Sequence, residues 1–109
     1  MIEPPPNESL ASLAEVLGND ATREIVRLFV QGFPEAYRCL GAGTADDRLR
    51  TVHGLKSSAL LMGATKMSQR MAAVETRLAG GESLTEGDLG SILSDFGAAA
   101  PALRRYAGI

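Results

Sequence analysis

Apolar residues in this chain recur at intervals of three and four, and the runs stop at glycines: Gly18, Gly41 and Gly43, Gly63, then Gly80 and Gly81. That spacing follows the helical turn of ~3.6 residues, whereas a half-buried strand needs a period of two, which no segment carries. No Asn-Gly or Asp-Gly pair stands between β-branched runs to turn a hairpin. The fold class expected is therefore all-α.

The punctuation divides the chain into five helical segments. Residues 1–7, with Pro4, Pro5 and Pro6 in succession, read as an extended lead-in, because proline cannot sustain a helix interior. Leu10, Leu13, Ala14 and Leu17 make one face of a short first helix ended by Gly18-Asn19. Asp20 is a suitable N-cap for a second, in which Ile25, Leu28, Phe29, Gly32, Phe33, Ala36, Tyr37 and Leu40 keep the period. Pro34 falls inside it and predicts a bend, or else a division into two helices. Thr44 caps a third helix that ends at Gly63. Met67, Met71, Val74 and Leu78 mark a fourth, and Thr85 caps a fifth carrying Leu89, Ile92, Leu93, Phe96, Leu103 and Tyr106, bent by Pro101. Amphipathic helices joined by short loops bury their apolar faces against one another. The simplest arrangement is an antiparallel up-down-up-down four-helix bundle, with the short additional N-terminal helix capping one end.

Composition narrows the function classes. At 109 residues, one domain spanning 1–109 is expected, and 45% apolar with 22% charged residues suits a folded globular chain. A formal net charge of −2 with no block of Lys or Arg lacks the footprint of a nucleic-acid binder. The start, MIEPPPNES, has neither the basic nor the apolar region of a signal peptide, and no apolar run approaches a bilayer span. A cytoplasmic, free-standing monomer without nucleic-acid or membrane partners is expected. Cys39 is the sole cysteine, so it builds no intrachain disulfide and no cysteine metal site, and reads as a core or boundary residue. Three of the four methionines sit at core spacing and read as gap-filling side chains. No Gly-rich phosphate loop and no metal-spaced cluster of carboxylates and histidine is present, so no cofactor, ATP or Mg²⁺ site is expected in the chain itself.

The third helix carries the candidate chemistry. Stepping 100° per residue puts Val52, Leu55, Ala59 and Met62 on one face, the natural core. Asp46, Leu49, Arg50, His53, Lys56, Ser57 and Leu60 fall on the other. The only histidine is thus expected to point outward, with Lys56 and Ser57 one turn on. Leu49 and Leu60 leave apolar surface one turn and two turns away on this otherwise polar face. Together with Arg50 they mark a candidate docking patch.

The string from Val52 to Ala64, VHGLKSSALLMGA, resembles the signature of the histidine-containing phosphotransfer (HPt) family: the His, the Leu two on, the Lys three on, the small Ser-Ser-Ala stretch and the Gly-Ala pair. The order of helices resembles the family's over most of the chain. Ser57 stands where the family commonly has Gly, a small residue that leaves room for a partner at the ring. The resemblance implies phosphorylation at Nε2 of His53 by a receiver-domain aspartyl phosphate or a histidine kinase, and onward transfer to another receiver. Partners would be receiver domains of hybrid histidine kinases and response regulators, which bring the metal and the acidic pocket. The chain would be a phosphoryl carrier and not an autonomous enzyme. A neutral imidazole, with its ordinary pKa of about 6.5, suits the nucleophile's part. Lys56 would offset the phosphoryl charge, or serve only as a solubilising lysine. Ser57 could donate to a phosphoryl oxygen, or bond back to the carbonyl four residues earlier.

Glu75 follows from chain travel. The turn at Gly63-Ala64 folds the fourth helix back along the third, and equal rise of about 1.5 Å per residue on either side brings position 75 level with 52 and 53. There it can accept the Nδ1 proton of His53, or it can be a surface carboxylate paired elsewhere. Two other functions compete with phosphotransfer: a non-phosphorylated interaction or scaffold bundle in which His53 is a relic, and an acid/base enzyme, for which no paired carboxylate or pocket is evident.

Overall fold

A computed structural model describes residues 3–109. Met1 and Ile2 of the expected lead-in lie outside the described residues. Residues 3–7 are neither helix nor strand, and five helices account for nearly all the rest: α1 Glu8–Leu17, α2 Asn19–Ala42, α3 Ala45–Leu61, α4 Thr65–Ala79 and α5 Glu86–Ala107. Among the described residues there is no strand, and no helix is long and apolar enough to cross a membrane.

Local chemistry sets most of the boundaries. Thr44 and Thr85 each accept from the backbone N–H of the residue three on, while Asp47 and Asp88 reach back to the threonine N–H, two complete capping boxes. α5 ends on Gly108 in the left-handed conformation, a common helix stop. α2 is the exception to the expected caps. It begins at Asn19, so Asp20 lies inside the first turn and Gly18 takes the cap position, with φ +87° that a side chain would resist. Pro34 and Pro101 both sit within unbroken helices, which excludes a division of α2 in two.

The helices meet in a cycle: α2 against α3, α3 against α4, α4 against α5, and α5 back against α2, with α1 laid on α2. Side-chain contacts give the directions. Tyr106 hydroxyl donates to Asn19 Oδ1 at one end of the α2–α5 pair and Tyr37 hydroxyl to the Leu89 carbonyl at the other, so the two helices run antiparallel. Arg70 with Asp95, and Arg77 with Asp88, fix the same relation for α4 and α5. Inside, Phe33 stacks on Phe96 with ring centroids 3.8 Å apart, flanked by Phe29 and Tyr37.

The core holds the expected stripes of α3 and α4: Val52, Leu55, Ala59 and Met62, then Met67, Met71 and Val74, all buried. On α2 the buried stripe is rotated from the one expected. Thr22, Val26, Val30, Phe33 and Leu40 point inward, whereas Leu28, about 200° around from Val26, is 61% exposed. Leu17 and Leu93 are likewise exposed: Leu17 ends α1, where the chain turns away at Gly18, and Leu93 lies at the edge of the α5 stripe. Asp95 is buried and is held by Arg70 and Lys66, so its charge is paired. Cys39 is half-buried, its Sγ 3.2 Å from Thr51 Oγ1 across the α2–α3 junction.

Candidate functional site

Burial of Val52 and Leu55 leaves His53 on the outer side of α3, with 64% of its side chain exposed. Its Nδ1 is nevertheless tied: Glu75 Oε2 on α4 lies 2.6 Å away. The second carboxylate oxygen, Oε1, accepts from the Lys56 ammonium. One carboxylate therefore bridges the two site residues that α3 presents one turn apart.

The α3–α4 turn sets this register. Gly63 adopts φ +73°, and the Ala64 N–H returns to the Ala59 carbonyl, closing α3 tightly so that α4 leaves antiparallel. The turn is held from outside as well. Asn7 caps α1 by accepting from the Leu10 N–H through Oδ1, while its Nδ2 donates to the Met62 carbonyl at 2.8 Å. On α4, Glu75 adjoins the buried Val74 and borders the Met71 stripe, which keeps its side chain only 21% exposed.

Lys56 and His53, through their hydrogen bonds, hold the Glu75 carboxyl below the usual carboxylate range. At neutral pH the group is an acceptor with no proton of its own, so Nδ1 is the donor. A neutral ring then carries its lone pair on Nε2, the nitrogen turned away from Glu75.

Asp47, bonded by the Thr44 hydroxyl and backbone N–H, is also held below the usual range. So is Asp88: burial pushes it up, but the Thr85 and Arg77 bonds outweigh that. A carboxyl lowered on folding contributes stability that is present above its unfolded pKa, about 4, and is lost as pH falls through the folded value. As pH falls from about 5 to about 2.5, stability should decline as the Glu75 bridge and both capping boxes protonate. Circular dichroism melts across this range check it. A midpoint that stays constant down to pH 2.5 would contradict it.

The other candidates lie along the same helix. Ser57 and Arg50 are exposed, Leu49 is half-buried, and Leu60 is 64% exposed. Asp46, Leu49, Arg50, Glu75, Thr76 and Ala79 line an open groove beside His53. Thr76 and Ala79 carry no sequence signal, since their place depends on how α4 lies on α3. A second shallow groove between α2 and α3 holds Leu28 and Leu61, which are 61% and 42% exposed. Sequence periodicity placed Leu28 in the core and passed over Leu61. Among the described residues, no three His, Cys, Asp or Glu side chains are grouped to hold a metal ion.

Comparison of the chain with protein-family models, with curated proteins and with solved structures found no match.

Proposed function

We propose that this chain is a histidine phosphotransfer module of the HPt type, a phosphoryl carrier with no kinase activity of its own. Nε2 of His53 takes a phosphoryl group from a receiver-domain aspartate or a histidine kinase and passes it to a response-regulator receiver. The accompanying architecture is an antiparallel four-helix bundle of α2 to α5 with α1 capping one end, a reading supported by the closed cycle of helix neighbours. The observation that carries the function is the Glu75 carboxylate on Nδ1 of an otherwise exposed ring.

In the accepting step the Nε2 lone pair attacks the phosphorus of the aspartyl phosphate. The P–N bond forms as the P–O bond breaks, and the electron pair leaves on the receiver's carboxylate. The ring gains positive charge while its Nδ1 proton stays in the hydrogen bond to Glu75, which offsets that charge as it develops. Onward transfer is the same exchange in reverse, toward a second aspartate. Glu75→Ala should slow acceptance about 10- to 100-fold, the usual loss on removing an orienting partner, as measured by rapid-quench labelling. An unchanged rate would remove Glu75 from the site.

Docking of the receiver would use the apolar residues on the His53 side of α3, Leu49 and Leu60, with Ser57 leaving room between them and Arg50 at the edge. Leu60→Arg should weaken receiver binding about tenfold or more while shifting the unfolding midpoint little, because the side chain is already 64% exposed. Titration calorimetry against a receiver reads the first effect. A loss of several kcal/mol in stability, the scale of a core leucine, would contradict the assignment.

The function is tested by mixing the chain with a receiver phosphorylated on its aspartate and following label onto this chain. A base-stable, acid-labile phosphate is expected. No transfer from any of a panel of receivers or histidine kinases would leave the scaffold reading in its place.

A further inference from the structure

The outer side of α5 is unlike that of α2, the other long helix. α2 faces water with ion pairs, Arg27 with Glu24 and Arg38 with Glu35. From Leu89 to Leu103, α5 carries one charged residue, Asp95, and that one is buried and held by Arg70 of α4. The exposed surface of this stretch is made by Gly90, Ser94, Gly97, Ala98 and Pro101, with the exposed Leu93 at its edge. No atom lies within 4 Å of where a Cβ on Gly90 or Gly97 would stand. A helix face that meets water ordinarily carries charged residues, and glycine and proline are weak helix formers there. This face suits contact better than it suits solvent.

Charge returns at both ends, with opposite sign. Glu86 is exposed in the first turn, Arg104 and Arg105 in the last, and none of the three is in an ion pair among the described residues. A face that is negative at one end, uncharged in the middle and positive at the other is complementary to itself turned end for end. Two copies of α5 laid antiparallel about a two-fold axis between Asp95 and Phe96 put Gly90 opposite Pro101 and Ser94 opposite Gly97. The same register brings Glu86 level with Arg104 and Arg105 of the mate, once at each end. Glycine in the middle lets the two helix axes approach closely. It also exposes an acceptor: Pro101 has no N–H, so the Gly97 carbonyl lacks its helical donor and can accept from the Ser94 hydroxyl opposite.

We infer that the outer face of α5 binds a second copy of this chain, forming an antiparallel homodimer in place of the monomer expected from the sequence. α5 touches α2 and α4 and lies across from α3, so both His53 rings stay clear of the contact. The inference does not depend on the phosphotransfer reading.

One helix face per copy is a small interface, so association belongs in the micromolar range. Sedimentation velocity from about 5 µM to about 500 µM should take the parent from monomer to dimer. Gly97→Gln puts a long side chain in the middle of the face. Glutamine favours helix over glycine, so at the lowest concentration this variant should melt no lower than the parent, yet it should stay monomeric throughout. Glu86→Arg makes both ends of the face positive, and Arg104→Glu with Arg105→Glu makes both negative. Each should weaken self-association about tenfold or more, and an equimolar mixture of the two should restore a dimer, because opposite charges then meet at both ends. A parent that remains monomeric at the highest concentration would overturn the inference. So would a dimer that survives Gly97→Gln, or one that Leu28→Glu dissociates, which would place the contact in the groove between α2 and α3.

Discussion

His53→Gln should accept no phosphoryl group from any receiver that labels the parent, and should unfold at nearly the parent's temperature. The first half follows from chemistry: glutamine's amide nitrogen has no available lone pair for attack on phosphorus, and no second histidine exists to substitute. The second half follows from position. The ring is 64% exposed and its neighbours Val52 and Leu55 fill the core without it. The lost Nδ1 contact is replaceable in part, since a glutamine amide can donate to the same carboxylate. Labelling and thermal melts on one preparation check both halves together. Label retained on the variant would place the acceptor elsewhere, and a collapsed melt would show that His53 serves the fold.

Gly63→Ala should be the most damaging small substitution at the site's periphery, although the glycine touches none of the reacting groups. Its φ of +73° is a conformation that costs an alanine about 1–2 kcal/mol. A Cβ there would also fall 2.4 Å from the Asn7 side chain, so that side chain must shift out of its present hydrogen bonds. With it go the α1 cap, worth about 1 kcal/mol, and the hydrogen bond to the Met62 carbonyl, worth about another. The sum, about 3–4 kcal/mol, should lower the unfolding midpoint by roughly 10–25 °C in a chain of this size. Asn7→Ala added to Gly63→Ala should then cost little more, because the contact it removes is already gone. A midpoint for Gly63→Ala within 3 °C of the parent would contradict this account of the turn.

The site was more legible in the sequence than the packing was. The third helix has an unambiguous apolar stripe, so the outward direction of His53 follows from 100° steps alone. The level of Glu75 follows from equal travel either side of a one-glycine turn. Neither position depends on what lies on the far side of the molecule. α2 is different. Its apolar residues cover more than one face, with Ile25, Val26, Leu28, Phe29 and Val30 nearly continuous, so periodicity alone fits two adjacent stripes. The choice is made by what packs there: with α1, α3 and α5 against α2, Val26 and Val30 are buried and Leu28 is left outside. Asp20 had the better capping side chain, yet Gly18 supplies a backbone turn between α1 and α2 that leaves no residue between them except itself. The Lys56–Glu75 contact was the least accessible, because an i+3 lysine can reach either its own helix face or the neighbouring helix, and only the interhelical spacing decides.

The most direct test of the account is ³¹P and ¹⁵N NMR of the phosphorylated chain, which identifies the atom that carries the group. The account predicts phosphorus coupled to Nε2 of His53, with Nδ1 still bearing the proton that Glu75 accepts. Phosphorus on Nδ1, or on any other side chain, would contradict it.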